Sequence, residues 1–212
     1  MGRIPHRLMP RRREVNDRKP RVTKPDGRVV VIHNGVPLQR FYPGAGGERA
    51  RRALGLTPAQ VAVGIVGNFG PVKRLELFLQ AAAVLGPGLP HVRFVIVGGE
   101  VFPEHRGRDA ALRAEAGRHG VEERVRFLGV REDMPAVMDA LDMLVSTSEA
   151  EACSRSILEA MASGIPVIGA DAGGTPELIV PGETGLLFPV GDARALASAI
   201  QQLAEDAPLP AE

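Results

Sequence analysis

The sequence predicts an α/β fold in which a parallel sheet carries helices on both faces. Two observations predict it. Between Val61 and Leu203, short β-branched and aliphatic runs alternate with stretches whose apolar residues recur every three or four positions. The runs end in loops rich in glycine or charge: GNFGPVK, VGGE, LGVRED, STSEAEACS and DAGGTPE. A parallel sheet gathers such loops on one rim, outside the carboxyl ends of its strands, where ligands bind.

The elements follow in order. Residues 1–27 hold Pro5, Pro10, Pro20, Pro25 and an Arg11-Arg12-Arg13 run, without apolar periodicity. We expect a loosely attached basic arm over 1–28, and no secretory signal, because its apolar stretch is missing. Val29–Ile32 reads as a buried strand and His33-Asn34-Gly35-Val36 as a turn. A glycine-rich turn and a short helix over 48–56 precede a strand at Val61–Val66. A helix is predicted over Lys73–Leu85, with Leu77, Phe78, Ala81 and Val84 on its apolar face. Then come strand Val92–Val97, helix Asp109–His119, strand Val125–Leu128, helix Met134–Leu141 and strand Met143–Val145. The next helix has Ser154 or Ser156 as its cap and Ile157, Leu158 and Met161 as its apolar face. Strands Val167–Ala170 and Gly185–Phe188 and a helix over Ala193–Leu203, started by Asp192, complete the domain at about residue 205. Residues 206–212 read as a tail.

Composition narrows the function. The chain has 212 residues, 44% hydrophobic, with no Trp and one Tyr. Its core must be aliphatic, and an aromatic platform for single-stranded nucleic acid is not expected. No run is long enough to span a bilayer. The single cysteine, Cys153, excludes an internal disulfide and fits a reducing, cytoplasmic compartment. It reads as a small loop residue, because no His lies near it in sequence to serve as its base. His6, His91, His105 and His119 show no metal-ligand spacing. The formal net charge of +1 is unevenly distributed. Residues 1–28 hold ten Lys or Arg against three acidic residues, a net +7; the rest holds sixteen against twenty-two, a net −6. The arm is either a linker remnant or an arm that touches anionic lipid or nucleic acid; a weak membrane contact would place the protein at the inner membrane face.

The stretch from Ser146 to Leu178 carries the chemistry. Glu151 and Glu159 are eight residues apart, about two helical turns. The unpaired N–H groups at the start of the helix between them form a phosphate site. A carboxylate beside a phosphate site accepts hydrogen bonds from hydroxyls, as on a sugar or ribose. Lys73, after a glycine loop on the same rim, suits a diphosphate. Together these groups are what a nucleotide-sugar needs.

The order Glu151, seven residues, Glu159, Ala160-Met161-Ala162, Gly164, Pro166-Val167, Gly173-Gly174 and Glu177 resembles the donor-binding signature of the retaining glycosyltransferases of family 4. These have the GT-B fold, and their C-terminal, donor-binding domain is a Rossmann-like parallel sheet with helices on both faces. The resemblance covers residues 29 to about 205. It implies sugar transfer with retention from a nucleotide diphosphate-sugar, which is a substrate, with no metal and no cofactor. It places Glu151 near the transferred sugar and Lys73 on the departing diphosphate, the two candidate catalytic residues. Gly67, Asn68, Ala152, Cys153, Ser154 and Arg155 would line the diphosphate, Glu159 the ribose, Val130 and Arg131 the base, and Gly173 and Gly174 the sugar, with Leu158 also among the nucleotide-sugar-binding residues.

Several positions depart from the family pattern. Asn68 stands where Arg is usual, Arg74 where Gly is common and Ala152 where Gly is usual. Arg155 stands where Asn is frequent, and it is expected to offset the cation missing at Asn68, while Arg74 is expected to point elsewhere. In the entry turn, His33 replaces a Pro and Pro37 an Asp. The family's N-terminal, acceptor-binding domain has no counterpart in these residues, so a separate chain carrying it is an expected partner, besides an unknown acceptor. Two further readings stay open: a non-catalytic or truncated nucleotide-sugar-binding module, and an interaction protein using the basic arm. No specific nucleic acid is expected.

Overall fold

The structure, a computed structural model, describes residues 33–205. The expected strand Val29–Ile32, the basic arm and the tail lie outside the described residues.

Six parallel strands form one sheet: β1 (Val61–Val66), β2 (Val92–Val97), β3 (Val125–Phe127), β4 (Met143–Ser146), β5 (Val167–Ala170) and β6 (Gly185–Phe188), in the order β3-β2-β1-β4-β5-β6. Val61 lies opposite Val92, Val63 opposite Met143 and Leu144 opposite Val167. Among the described residues, seven α-helices connect and cover the strands: α1 (Gly47–Ala53), α2 (Leu75–Leu85), α3 (Arg108–Arg118), α4 (Met134–Ala140), α5 (Arg155–Ala162), α6 (Thr175–Leu178) and α7 (Ala193–Glu205).

Alternation along each strand explains why the sheet is buried on both sides. Val63, Ile65, Phe94, Ile96, Met143, Val145 and Ile168 pack with Phe78 of α2, Leu112 of α3 and Ile200 of α7. Their neighbours Ala62, Val95, Val97, Leu144 and Val167 pack with Val137 of α4 and Ile157 of α5 on the other face. The strands therefore read as continuous apolar runs, not as alternating polar and apolar residues. The loops form the rim, and the one after β1 anchors itself in the core through Phe69, which is 1% exposed.

The structure corrects several boundaries. The helix expected from Lys73 begins at Leu75; Pro71–Lys73 is a single 3₁₀ turn, and Arg74 between them adopts φ 50° and ψ 44°. Val84, expected on the apolar face, is exposed, because α2 buries Leu75, Leu77, Phe78, Leu79, Ala81 and Ala82 instead. The helix expected over 48–56 ends at Ala53, with Gly55 in the left-handed region just beyond. β3 stops at Phe127, and part of the glycine-rich turn after β5 is the short helix α6. Asp192 starts α7 as expected: its Oδ1 accepts from the backbone N–H groups of Arg194 and Ala195 at 3.0 and 2.9 Å. Ser154 stands at the cap position of α5, but its Oγ meets Ser156 Oγ at 3.0 Å and makes no capping bond to the helix. On α5, Ile157 and Ala160 are fully buried, whereas Leu158 and Met161 are half-buried. Among the described residues, no helix is long and apolar enough to cross a membrane.

Candidate functional site

The chain leaves β1 toward β2 on one side and β4 toward β5 on the other, so a crevice opens between the carboxyl ends of β1 and β4. Two loops fill it, one after each strand, and they are stitched together. Thr147 Oγ1 donates to the Lys73 carbonyl at 2.5 Å and Ser148 Oγ to the Val72 carbonyl at 3.3 Å. The Glu149 backbone N–H donates to the same Val72 carbonyl at 3.2 Å. Arg74 Nε lies 3.1 Å from Glu149 Oε1.

Inside this frame Lys73 Nζ donates to the carboxylate of Glu151, which also accepts from Ser148 Oγ at 3.2 Å. Both side chains are mostly buried, so the pair sits in the crevice and is not a surface contact. Gly67, Lys73, Thr147, Ser148 and Ser156 line a small cleft there. Gly67 is close-packed against the stem of Lys73: a Cβ on it would stand 3.4 Å from Lys73 Cε. The uncapped start of α5 lies next along the chain, in the residues after Glu151.

The Gly-Gly turn buttresses the Glu151 loop. Gly174 N–H donates to the Glu151 carbonyl at 2.6 Å. A Cβ on Gly174 would stand 1.9 Å from the Ala152 carbonyl oxygen, and Gly173 has φ +55°. Only glycine allows this approach. From the other side, Asn34 Nδ2 donates to the Cys153 carbonyl at 2.9 Å and His33 Nε2 lies 3.2 Å from Glu177 Oε2. Sequence reasoning missed this strap, because 119 and 144 residues separate the partners and no spacing signals them.

Glu159 is half a helix away. Its side chain is 12% exposed, and burial pushes its carboxyl above the usual range, opposed by Arg155 and Arg40. Arg155 itself is largely exposed and turns along α5 toward Glu159, with Nη2 to Oε1 at 3.6 Å. Asn68 is committed to its own loop: its Oδ1 accepts from the Gly70 N–H at 3.0 Å. Val130 is 70% exposed beside Gly99 on the rim. Arg131 is bidentate to Asp133 at 2.9 and 2.7 Å, which raises the guanidinium pKa and lowers that of the carboxyl. Cys153 is a half-buried free thiol. The structure thus brings together Gly67, Lys73, Glu151, Ala152, Gly173 and Gly174, and sets Val130 and Arg131 on the loop after β3, which β2 separates from β1. Among the described residues, no three His, Cys, Asp or Glu side chains group as they would around a metal ion.

Residues 60–206 match the family described as glycosyl transferases group 1. The chain belongs to that family. As a group 1 glycosyltransferase chain, it is 32% identical over 182 residues to the lipopolysaccharide core biosynthesis mannosyltransferase LpsB of Rhizobium meliloti, covering 85% of this chain and 51% of that protein. It is 38% identical over 185 residues to a D-inositol 3-phosphate glycosyltransferase of Mycobacterium sp. (strain KMS), covering 85% and 40%. The chain therefore spans about half the length, or less, of these relatives. Its fold is similar to that of Anabaena Alr3699/HepE, solved with UDP and glucose, with a TM-score of 0.77 at 33% identity, over 84% of this chain and 47% of that one. It is also similar to the C-terminal domain of the group 1 protein LpcC from Francisella tularensis, with a TM-score of 0.71 at 29% identity. There the match covers 81% of this chain and 88% of the other. The six-stranded parallel sheet is thus a Rossmann-like domain of the GT-B kind.

Proposed function

We propose that this domain holds the nucleotide diphosphate-sugar of a sugar-transfer reaction and stabilises the diphosphate as it leaves. The observation that carries the reading is the Lys73–Glu151 pair at the switch point between β1 and β4, beside the uncapped start of α5. In the reaction, the bond between the anomeric carbon and the diphosphate oxygen breaks, and the oxygen keeps the electron pair. Lys73 Nζ and the N–H groups of α5 offset the charge that develops there. An acceptor hydroxyl forms the new bond to the anomeric carbon, with retention, and its proton passes to the departing diphosphate oxygen. Glu159 accepts from the ribose hydroxyls, and Glu151 and the Gly173-Gly174 turn hold the sugar.

A second GT-B domain, in this protein or another chain, supplies the acceptor side of the cleft. A uridine nucleotide is the first donor to try, because a structurally similar protein was solved with UDP-glucose. The +7 charge of residues 1–28 fits a weak contact with an anionic membrane face. Calorimetric titration with UDP, GDP, ADP and their glucose conjugates tests the reading. Saturable binding of one nucleotide, lost in Glu159→Ala, supports it; no binding at millimolar ligand overturns it.

A further inference from the structure

We propose that Arg74 and Glu149 form a clasp that fixes where Lys73 meets Glu151, so that both act as positioning residues for the diphosphate; this rests on the donor-site reading above. Arg74 is the one residue other than glycine with positive φ among the described residues. That conformation costs any residue with a Cβ, and such strain persists where the surroundings over-determine it. Here the surroundings do. The chain must reverse between the 3₁₀ turn Pro71–Lys73 and α2, whose first residue, Leu75, is 1% exposed. The left-handed Arg74 makes that reversal directly after Lys73, whose Nζ meets Glu151.

The β4 loop grips the same turn. It takes up the carbonyls of both Val72 and Lys73, and Glu149 holds the Arg74 guanidinium at 3.1 Å. Glu149 and Glu151 are two residues apart on one loop, and Lys73 and Arg74 are adjacent on the other. Two ion pairs thus cross the same seam: one inside the crevice, one at its outer edge, with Arg74 and Glu149 each partly exposed. When a diphosphate draws Lys73 away from Glu151, the outer pair keeps the two loops in register. Glycine at position 74 would make the reversal without strain, so the presence of arginine there has to be explained by its side chain.

The experiment separates positioning from plain stability. Arg74→Gly removes the strain and the ion pair together; Glu149→Gln removes only the ion pair. We expect each to weaken nucleotide diphosphate binding, measured by calorimetry, about three- to fivefold, as suits a partly exposed pair. Arg74→Gly should keep or raise Tm, Arg74→Lys should stay near wild type in affinity, and the double variant should be no weaker than the weaker single one. Unchanged affinity in both single variants overturns the clasp, as do losses that add in the double variant, or an affinity that falls only in step with Tm. A wild-type chain that binds no nucleotide diphosphate overturns the donor reading and this inference with it; wild-type binding that the variants leave unchanged overturns the inference alone.

Discussion

Lys73 Nζ and the Glu151 carboxylate meet across 78 residues of sequence, one from the loop after β1 and the other from the loop after β4. The pair holds a cation in place in the crevice, and on the donor-site reading a diphosphate competes with Glu151 for it. Lys73→Ala is therefore expected to weaken nucleotide diphosphate binding about 10- to 100-fold, the loss of a charge-assisted contact. Glu151→Gln frees Lys73 and is expected to bind the bare nucleotide diphosphate as tightly as wild type or more tightly. Titration of both variants checks the opposite signs.

Glu159 gives a pH dependence. Unfolded, its carboxyl titrates near 4.5; folded, burial holds the proton to higher pH. The folded state then binds more protons than the unfolded one. Its contribution to stability is full below 4.5 and is lost as pH rises through the folded pKa. Thermal melts in a pH series should show this fall, and Glu159→Gln should flatten it. Nucleotide affinity should move the other way, rising as the carboxylate forms. Arg155→Ala is expected to push the Glu159 carboxyl further up and to weaken binding a few-fold; unchanged affinity removes Arg155 from the diphosphate's counter-charges.

Gly174→Ala would place its Cβ 1.9 Å from a backbone oxygen that no rotamer change can move. The loop carrying Glu151 must shift instead. We expect a stability loss of about 1–3 kcal/mol in chemical denaturation, with nucleotide binding lost in the fraction that still folds.

Asp139 serves as a control away from the crevice. Its buried carboxylate accepts from the backbone N–H groups of Gly44 and Gly47 at 2.8 and 2.7 Å, fastening the entry segment to α4. Asp139→Ala orphans both donors and is expected to cost about 2–4 kcal/mol in denaturant unfolding. Nucleotide affinity of the folded fraction should stay unchanged.

The strands were legible because burial on both faces forces continuous apolar runs: β1, β2, β5 and β6 lie where those runs lie. Asp192 was legible as a cap because its chemistry is local. The start of α2 was not, because a left-handed arginine leaves no mark in sequence; Arg74 has the composition of an ordinary helix residue. Ser154 looked like a cap, but Ser156 Oγ competes for its hydroxyl. Lys73 and Glu151 could be singled out separately by their loops. That they touch, that Arg74 reaches Glu149 and that Asn34 holds the Cys153 carbonyl follow only from strand order, which brings loops distant in sequence onto one rim.

The most direct test of the donor-site account is calorimetric titration of the purified chain with nucleotide diphosphates and their glucose conjugates, with Glu159→Ala and Lys73→Ala alongside. The account predicts saturable binding of one nucleotide, weakened by both substitutions. Absence of binding at millimolar ligand, or binding that neither substitution changes, would contradict it.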